Sequence, residues 1–254
     1  MRQWLRLLGG TYVVAPDAPG GRSAQATELI VRGSMGSMSA WSELAPAFTR
    51  MTGYKVTVIQ ETSAALEQEL ASGTSSDLVV LYGEPLERAI RQGKLVAGSS
   101  TLFARAAVGL SVRSGAVWPD IGTPEAFKRA LLGARSICYS FGGSGIVAAR
   151  AIEKLGIAEQ MKSRTVRSVD GPAAGYVARG EAEMAIQQVN VSKPVAGTDY
   201  VGNLPGDLHE YIVFAVAIVA SSKQQEDARS LIRFVTSPEA APLLEKGMME
   251  PAGG

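Results

Sequence analysis

The feature that most constrains this chain is an alternation of short β-branched runs with helical repeats, joined by Ser/Gly turns, from Glu28 onward. Strand and helix in turn lead to an α/β fold, because each crossover helix covers one face of a largely parallel sheet. Residues 29–32 read as the first strand. After the GSMGS turn (33–37), Met38, Trp41, Leu44, Ala45 and Phe48 recur at helical spacing, and Gly53 ends that helix. The runs 54–60 and 77–82 predict two more strands, with helices from Ser63 to near Gly73 and over 84–92.

The second half repeats the scheme. Strands are predicted over 103–112, 135–140, 165–169, 183–189 and 211–219. Thr123 is placed to cap a helix that has Pro124 at its first position, where a missing N–H costs nothing. A glycine turn (142–145) precedes a helix over 146–155, a short helix spans 173–179, and helices over about 224–235 and 238–245 close the chain.

Residue counts then remove whole classes of chemistry. One cysteine, Cys138, excludes an internal disulfide framework and a Cys-cluster metal site; one histidine, His209, excludes any scheme needing two imidazoles. Neither a metal nor a cofactor is expected. Lys+Arg 25 against Asp+Glu 24 gives net charge +1, which argues against a nucleic-acid or membrane-surface partner. The longest apolar run, 211–220, has 10 residues, about half of the roughly 20 that a spanning helix needs. Residues 1–26 fit a leader: Arg2 and Arg6 form a basic start and Ala24-Gln25-Ala26 a small-x-small cleavage pattern. Arg6, Gly9 and Gly10 interrupt its apolar middle, so a disordered leader or a misassigned start codon is the competing reading.

The turns carry the chemistry. Ser34 and Ser37, Ser63, and Ser144 with Gly145 all sit where a strand passes into a helix. Free N–H groups and the positive helix end at such a point, with a serine hydroxyl added, make an anion site needing no basic side chain. Each serine taken alone serves equally well as a plain N-cap. The glycine turn lacks a P-loop lysine, so nucleotide binding has little support. Gln187 and Gln188 end an otherwise apolar strand; one of them faces a ligand, or both bond neighbouring backbone. Glu61, Asp170, Tyr82 and Tyr139 lie near strand ends, yet none has a partner at a spacing that marks a general base. His209 reads as a loop residue and Cys138 as a small buried apolar group.

Several motifs follow one another in a specific order: ELIV (28–31), WSELAPAF (41–48), TGYKVTV (52–58), SAALEQEL (63–70), GTSSDLV (73–79) and GKLV (93–96). Ser144-Gly145, Leu155-Gly156, GEAEMAI (180–186) and SPEAA (237–241) complete the series. The chain resembles the type-2 periplasmic solute-binding proteins of the molybdate-binding kind over nearly all of 28–250. That resemblance implies a two-lobed α/β fold with a ligand cleft between lobes: 27–107 with 206–254 in one, 108–205 in the other. It implies a periplasmic or secreted monomer that takes a small anion and meets a membrane permease. The family's ligand positions fall on Ser34, Ser37, Ser63, Ser144, Gly145, the Asp170-Gly171 turn and Gln188.

Gln188 stands where these proteins have a molybdate-contacting tyrosine, Asp170 adds negative charge, and the first turn is not the usual Ala-Ser. An organic carboxylate is therefore the expected ligand rather than molybdate. The segments AEMAIQQ (182–188), GNLP (202–205) and KGMMEP (246–251) also resemble a branch containing aconitate isomerases. That second resemblance implies cofactor-independent proton transfer on a tricarboxylate as the alternative function.

Overall fold

The computed structural model describes residues 27–73 and 75–253, so the leader at 1–26 lies outside it. The first stretch runs β1 (Glu28–Ser34), α1 (Met38–Thr52), β2 (Lys55–Glu61), α2 (Ser63–Ser72), β3 (Leu78–Leu81), α3 (Gly83–Arg91) and the long β4 (Thr101–Arg113). The middle continues α4 (Pro124–Gly133), β5 (Ile137–Ser140), α5 (Gly143–Lys154), α6 (Ala158–Lys162), β6 (Thr165–Ser168), α7 (Ala173–Arg179), β7 (Met184–Gln188), α8 (Val189–Ser192) and β8 (Thr198–Asn203). The chain ends with β9 (Tyr211–Ile218), α9 (Gln225–Val235), α10 (Ala241–Lys246) and β10 (Glu250–Pro251). Two compact units result: residues up to Arg105 with those from Val213 form one, and Ala106–Ile212 the other. Both chain passages fall inside strands, β4 and β9.

In the first unit β1 pairs in parallel with β2 and β3, and β3 pairs antiparallel with β9. Trp41, Leu44, Ala45 and Phe48 are buried along one face of α1, as their spacing predicts. Phe48 meets Phe234 of α9 with ring centroids 5.6 Å apart, and Trp41 meets Phe103 at 5.8 Å. Gly53 adopts φ 78 and its N–H closes the helix on the Thr49 carbonyl, a left-handed cap that glycine takes without strain.

In the second unit β5 pairs in parallel with β6 and β7, while β4 runs antiparallel to β7 and β8. Thr123 accepts the Ala126 N–H at 3.1 Å with Pro124 opening α4, as the sequence indicates. Cys138, Val166 and Ala185, adjacent across β5, β6 and β7, pack against Ala173, Ala174 and Val177 of α7. Strand alternation sends Tyr139, Arg167 and Ile186 to the opposite face, the side of α5. A Cβ on Gly109 of β4 would fall 2.1 Å from the Tyr200 hydroxyl, so only glycine admits that ring.

Several expectations are corrected. The helix expected from Ile146 begins at Gly143: Gly142 is its N-cap, and its carbonyl accepts the Ile146 N–H at 3.0 Å. The glycines therefore form the first helical turn rather than a loop before it. The strand expected to reach Val189 ends at Gln188, because Val189 begins the single turn of α8. Pattern reading also passes over α6, α8, β8 and β10. These are short or polar, and β8 exists by pairing with β4.

Candidate functional site

In the first unit the serine turns collect at one sheet edge. Register places Ser34, the last residue of β1, opposite Glu61, the last residue of β2. Ser34 is buried, extended, and the N-cap of a 3-10 turn that leads into α1. Ser37, fully buried, donates its hydroxyl to the Ser34 carbonyl at 2.9 Å, so its proton is committed to shaping the turn. Thr62 is the cap of α2, accepting the Ala65 N–H at 3.1 Å, and Ser63 is the first helical residue. The Ser63 side chain lies outside the described atoms. Arg32, two residues before Ser34 on the same face of β1, pairs with Glu61 and comes within 3.9 Å of Glu69. The Glu61 carboxylate thus balances a neighbouring guanidinium.

The second unit presents a matching edge with different chemistry. Ser140 lies opposite Ser168 at the ends of β5 and β6, and continuing the β5–β7 register brings Gln187 alongside. Ser144 and Gly145 are buried in the first turn of α5. A Cβ on Gly145 would lie 1.8 Å from the Ser140 carbonyl oxygen, so the helix start can press onto the strand end only with glycine there. Four buried polar atoms at this edge have no hydrogen-bond partner: Arg167 Nη1, Ser168 Oγ, Gln187 Oε1 and Gln188 Nε2. Buried polar groups are normally satisfied, and three of these four are donors.

Asp170 is exposed and accepts the Tyr176 hydroxyl at 2.5 Å. That bond holds its carboxyl below the usual carboxylate range, so it stays ionised. Tyr176 also accepts the Val169 N–H at 3.2 Å, which fixes the turn running on through Gly171. Of the other sequence candidates, Tyr82 packs edge-on against Phe214 at 5.5 Å and Tyr139 is buried under Arg167. His209 stands edge-on to Tyr211 at 4.9 Å. Cys138 is fully buried, and desolvation pushes its thiol up to about 11, which removes it as a nucleophile. Among the described residues, no group of three His, Cys, Asp or Glu side chains comes together as a metal site. Nor is any described helix long and apolar enough to cross a membrane.

Arg167 carries no local motif. Its only signal in the sequence is a charged residue inside a short strand, TVRS, and its meaning depends on cross-strand register to Tyr139.

The profile of the bacterial extracellular solute-binding protein family matches residues 29–248. The chain belongs to that family. The chain is 30% identical over 231 residues to an aconitate isomerase from Pseudomonas sp, covering 89% of this chain and 88% of that one. It is 26% identical over 234 residues to the molybdate-binding protein ModA of Azotobacter vinelandii, covering 88% and 90%. The solved Azotobacter vinelandii periplasmic molybdate-binding protein superposes with TM-score 0.73 at 19% identity, covering 87% of this chain and 98% of that one. The fold is therefore that of the two-lobed periplasmic binding proteins, as the motif order implies.

Proposed function

We propose that this chain is an extracytoplasmic solute-binding protein that captures a small organic carboxylate for an ABC-type permease. One observation carries the reading: uncommitted hydrogen-bond donors gather at the strand ends of the second unit, beside the first turn of α5. Donors without a facing general base suit tight, reversible holding of an anion. Ser34, Ser144 and Gly145, with Ser37, Ser63, Gly171 and Gln188 around them, are its proposed ligand residues. Asp170 contributes backbone only, since its ionised carboxylate is held by Tyr176. Molybdate and sulfate are the competing anions, because hydroxyl and amide donors suit a bare oxyanion too. Thermal shift and calorimetry with trans-aconitate, citrate, acetate, molybdate and sulfate test it. Carboxylate binding with no response to molybdate or sulfate is the expected outcome, and the reverse order would overturn the carboxylate assignment. Export is part of the proposal: intact mass from the native host should show a mature chain starting near Thr27.

The 30% identity to an aconitate isomerase favours a second reading, cofactor-independent isomerisation of a tricarboxylate by proton transfer. Proton NMR with cis- and trans-aconitate in deuterated water separates the two. Conversion with deuterium entering the product would establish the enzyme. Saturable binding with no conversion would leave the carrier.

A further inference from the structure

The guanidinium of Arg167 is set in an unusual way for a strand residue. Its Cζ lies 4.3 Å from the Tyr139 ring centroid and 4.4 Å from that of Phe141. Two rings held this close fix the guanidinium by cation–π attraction. No carboxylate among the described residues forms an ion pair with it, and Nη1 is buried with no partner. With Gly145, Ile146, Ala149, Arg150 and Glu153 it lines a depression of about 240 Å³ along α5. Arg150 there is already paired with Glu210 at 2.8 Å. Glu153 is eight residues beyond Gly145, about 12 Å along the helix at 1.5 Å per residue, so the end near the α5 N-terminus is cationic.

Two more observations sit at the same end. Gln188 is 6% exposed, has an unpartnered Nε2, and by strand alternation lies on the Arg167 side of the sheet. Phe141, Ile146 and Val169 are 64%, 54% and 77% exposed, an apolar rim following the ends of β5 and β6. A bare tetrahedral oxyanion gains nothing from an apolar rim and is held well by amides and hydroxyls alone. A carbon skeleton bearing a second charge would use both the rim and the cation.

We propose that Arg167, supported by Gln188, binds a second carboxylate of the ligand, and so selects compact di- and tricarboxylates over monocarboxylates and oxyanions. This rests on the carboxylate reading above and names the residue that would decide it. A stacked guanidinium offers two parallel N–H donors to one carboxylate, a geometry that lysine does not reproduce.

The test is calorimetry of the full chain with trans-aconitate, crotonate and molybdate, on wild type and on Arg167→Met and Arg167→Lys. Wild type should bind trans-aconitate at least about 10-fold tighter than crotonate, from one added charge-assisted contact. Arg167→Met should weaken trans-aconitate by about 10- to 100-fold and leave crotonate unchanged. Arg167→Lys should fall between. A folded Arg167→Met with unchanged trans-aconitate affinity would overturn the assignment of Arg167 while the carboxylate reading stood. Should Arg167→Met not fold, equal binding of trans-aconitate and crotonate by wild type would overturn it alone. Preference for molybdate over both would remove the carboxylate reading together with this one.

Discussion

The two units end their parallel strands in similar turns, yet they treat charge there in opposite ways. In the first, Arg32 sits between Glu61 and Glu69, so a cation next to the Ser34 turn is neutralised by carboxylates of its own unit. In the second, Arg167 is held by two aromatic rings instead, and its charge is left uncompensated. Rings position a guanidinium without cancelling it, while a carboxylate does both. A shared strand-to-helix architecture therefore leaves the charge at the second unit's strand ends unbalanced and that at the first unit's strand ends balanced.

The sharpest way to break this picture is to remove the donors themselves. Ser34→Ala combined with Ser144→Ala should cost several kcal/mol in calorimetric affinity for trans-aconitate, since each charge-assisted hydrogen bond contributes about 1.5–3 kcal/mol. Unchanged binding would dissociate both serines from the ligand. Next in size, Gly145→Ala should destabilise the protein by about 2–4 kcal/mol in urea unfolding, because its Cβ meets a backbone carbonyl that cannot move cheaply. Gly133→Ala in the same unit has open space around it and should be neutral or stabilise by about 0.5–1 kcal/mol. If the two glycines respond alike, the close approach at Ser140 is not what shapes the second edge.

Glu61→Gln tests the neutralised side. Both partners are about 15% exposed, so losing the carboxylate should lower stability by about 1–3 kcal/mol. Ligand affinity should fall by less than 5-fold, roughly 1 kcal/mol. A larger loss of binding than of stability would make Glu61 part of the ligand machinery and erase the contrast with Arg167.

The smallest effect concerns Asp170. Tyr176→Phe removes the hydroxyl that lowers its pKa, so its carbon-13 titration should move up towards 3.8. The folded value is the depressed one, so the Tyr176 bond stabilises the fold above the ordinary carboxylate range and loses that effect as pH falls through the folded value. An unshifted titration would mean the bond is not populated in solution.

Much of the fold was legible because local and global signals agree. Pro172 and Gly180 bracket α7, Gly53 marks the end of α1, and Thr123-Pro124 opens α4. The missed elements have the opposite character. The β8 segment TDYVGN is polar and half-exposed, and forms only because Gly109 of β4 leaves room for Tyr200. Site reading divided in the same way. Serines at strand-to-helix turns are visible locally, and so is the unusual Gln187-Gln188 pair at a strand end. Arg167 is not, since its neighbours Tyr139 and Phe141 are 28 and 26 positions away and only the β5–β6 register joins them. The start of α5 is hidden in the sequence because glycines favour a break unless something must approach closely, and the Ser140 carbonyl supplies that reason.

The split composition of the first unit has a consequence during synthesis. Ala106–Ile212 emerges from the ribosome as one uninterrupted unit, complete before β9 is finished. The first unit must wait, because the free edge of β3 is covered by β9 and the Phe48 ring by Phe234 of α9. Until the last segment arrives, β1, β2 and β3 form a sheet with an open apolar edge, the kind of surface that aggregates or recruits chaperones. Truncation after Ile212 should therefore leave the first unit with an incomplete core and Ala106–Ile212 intact.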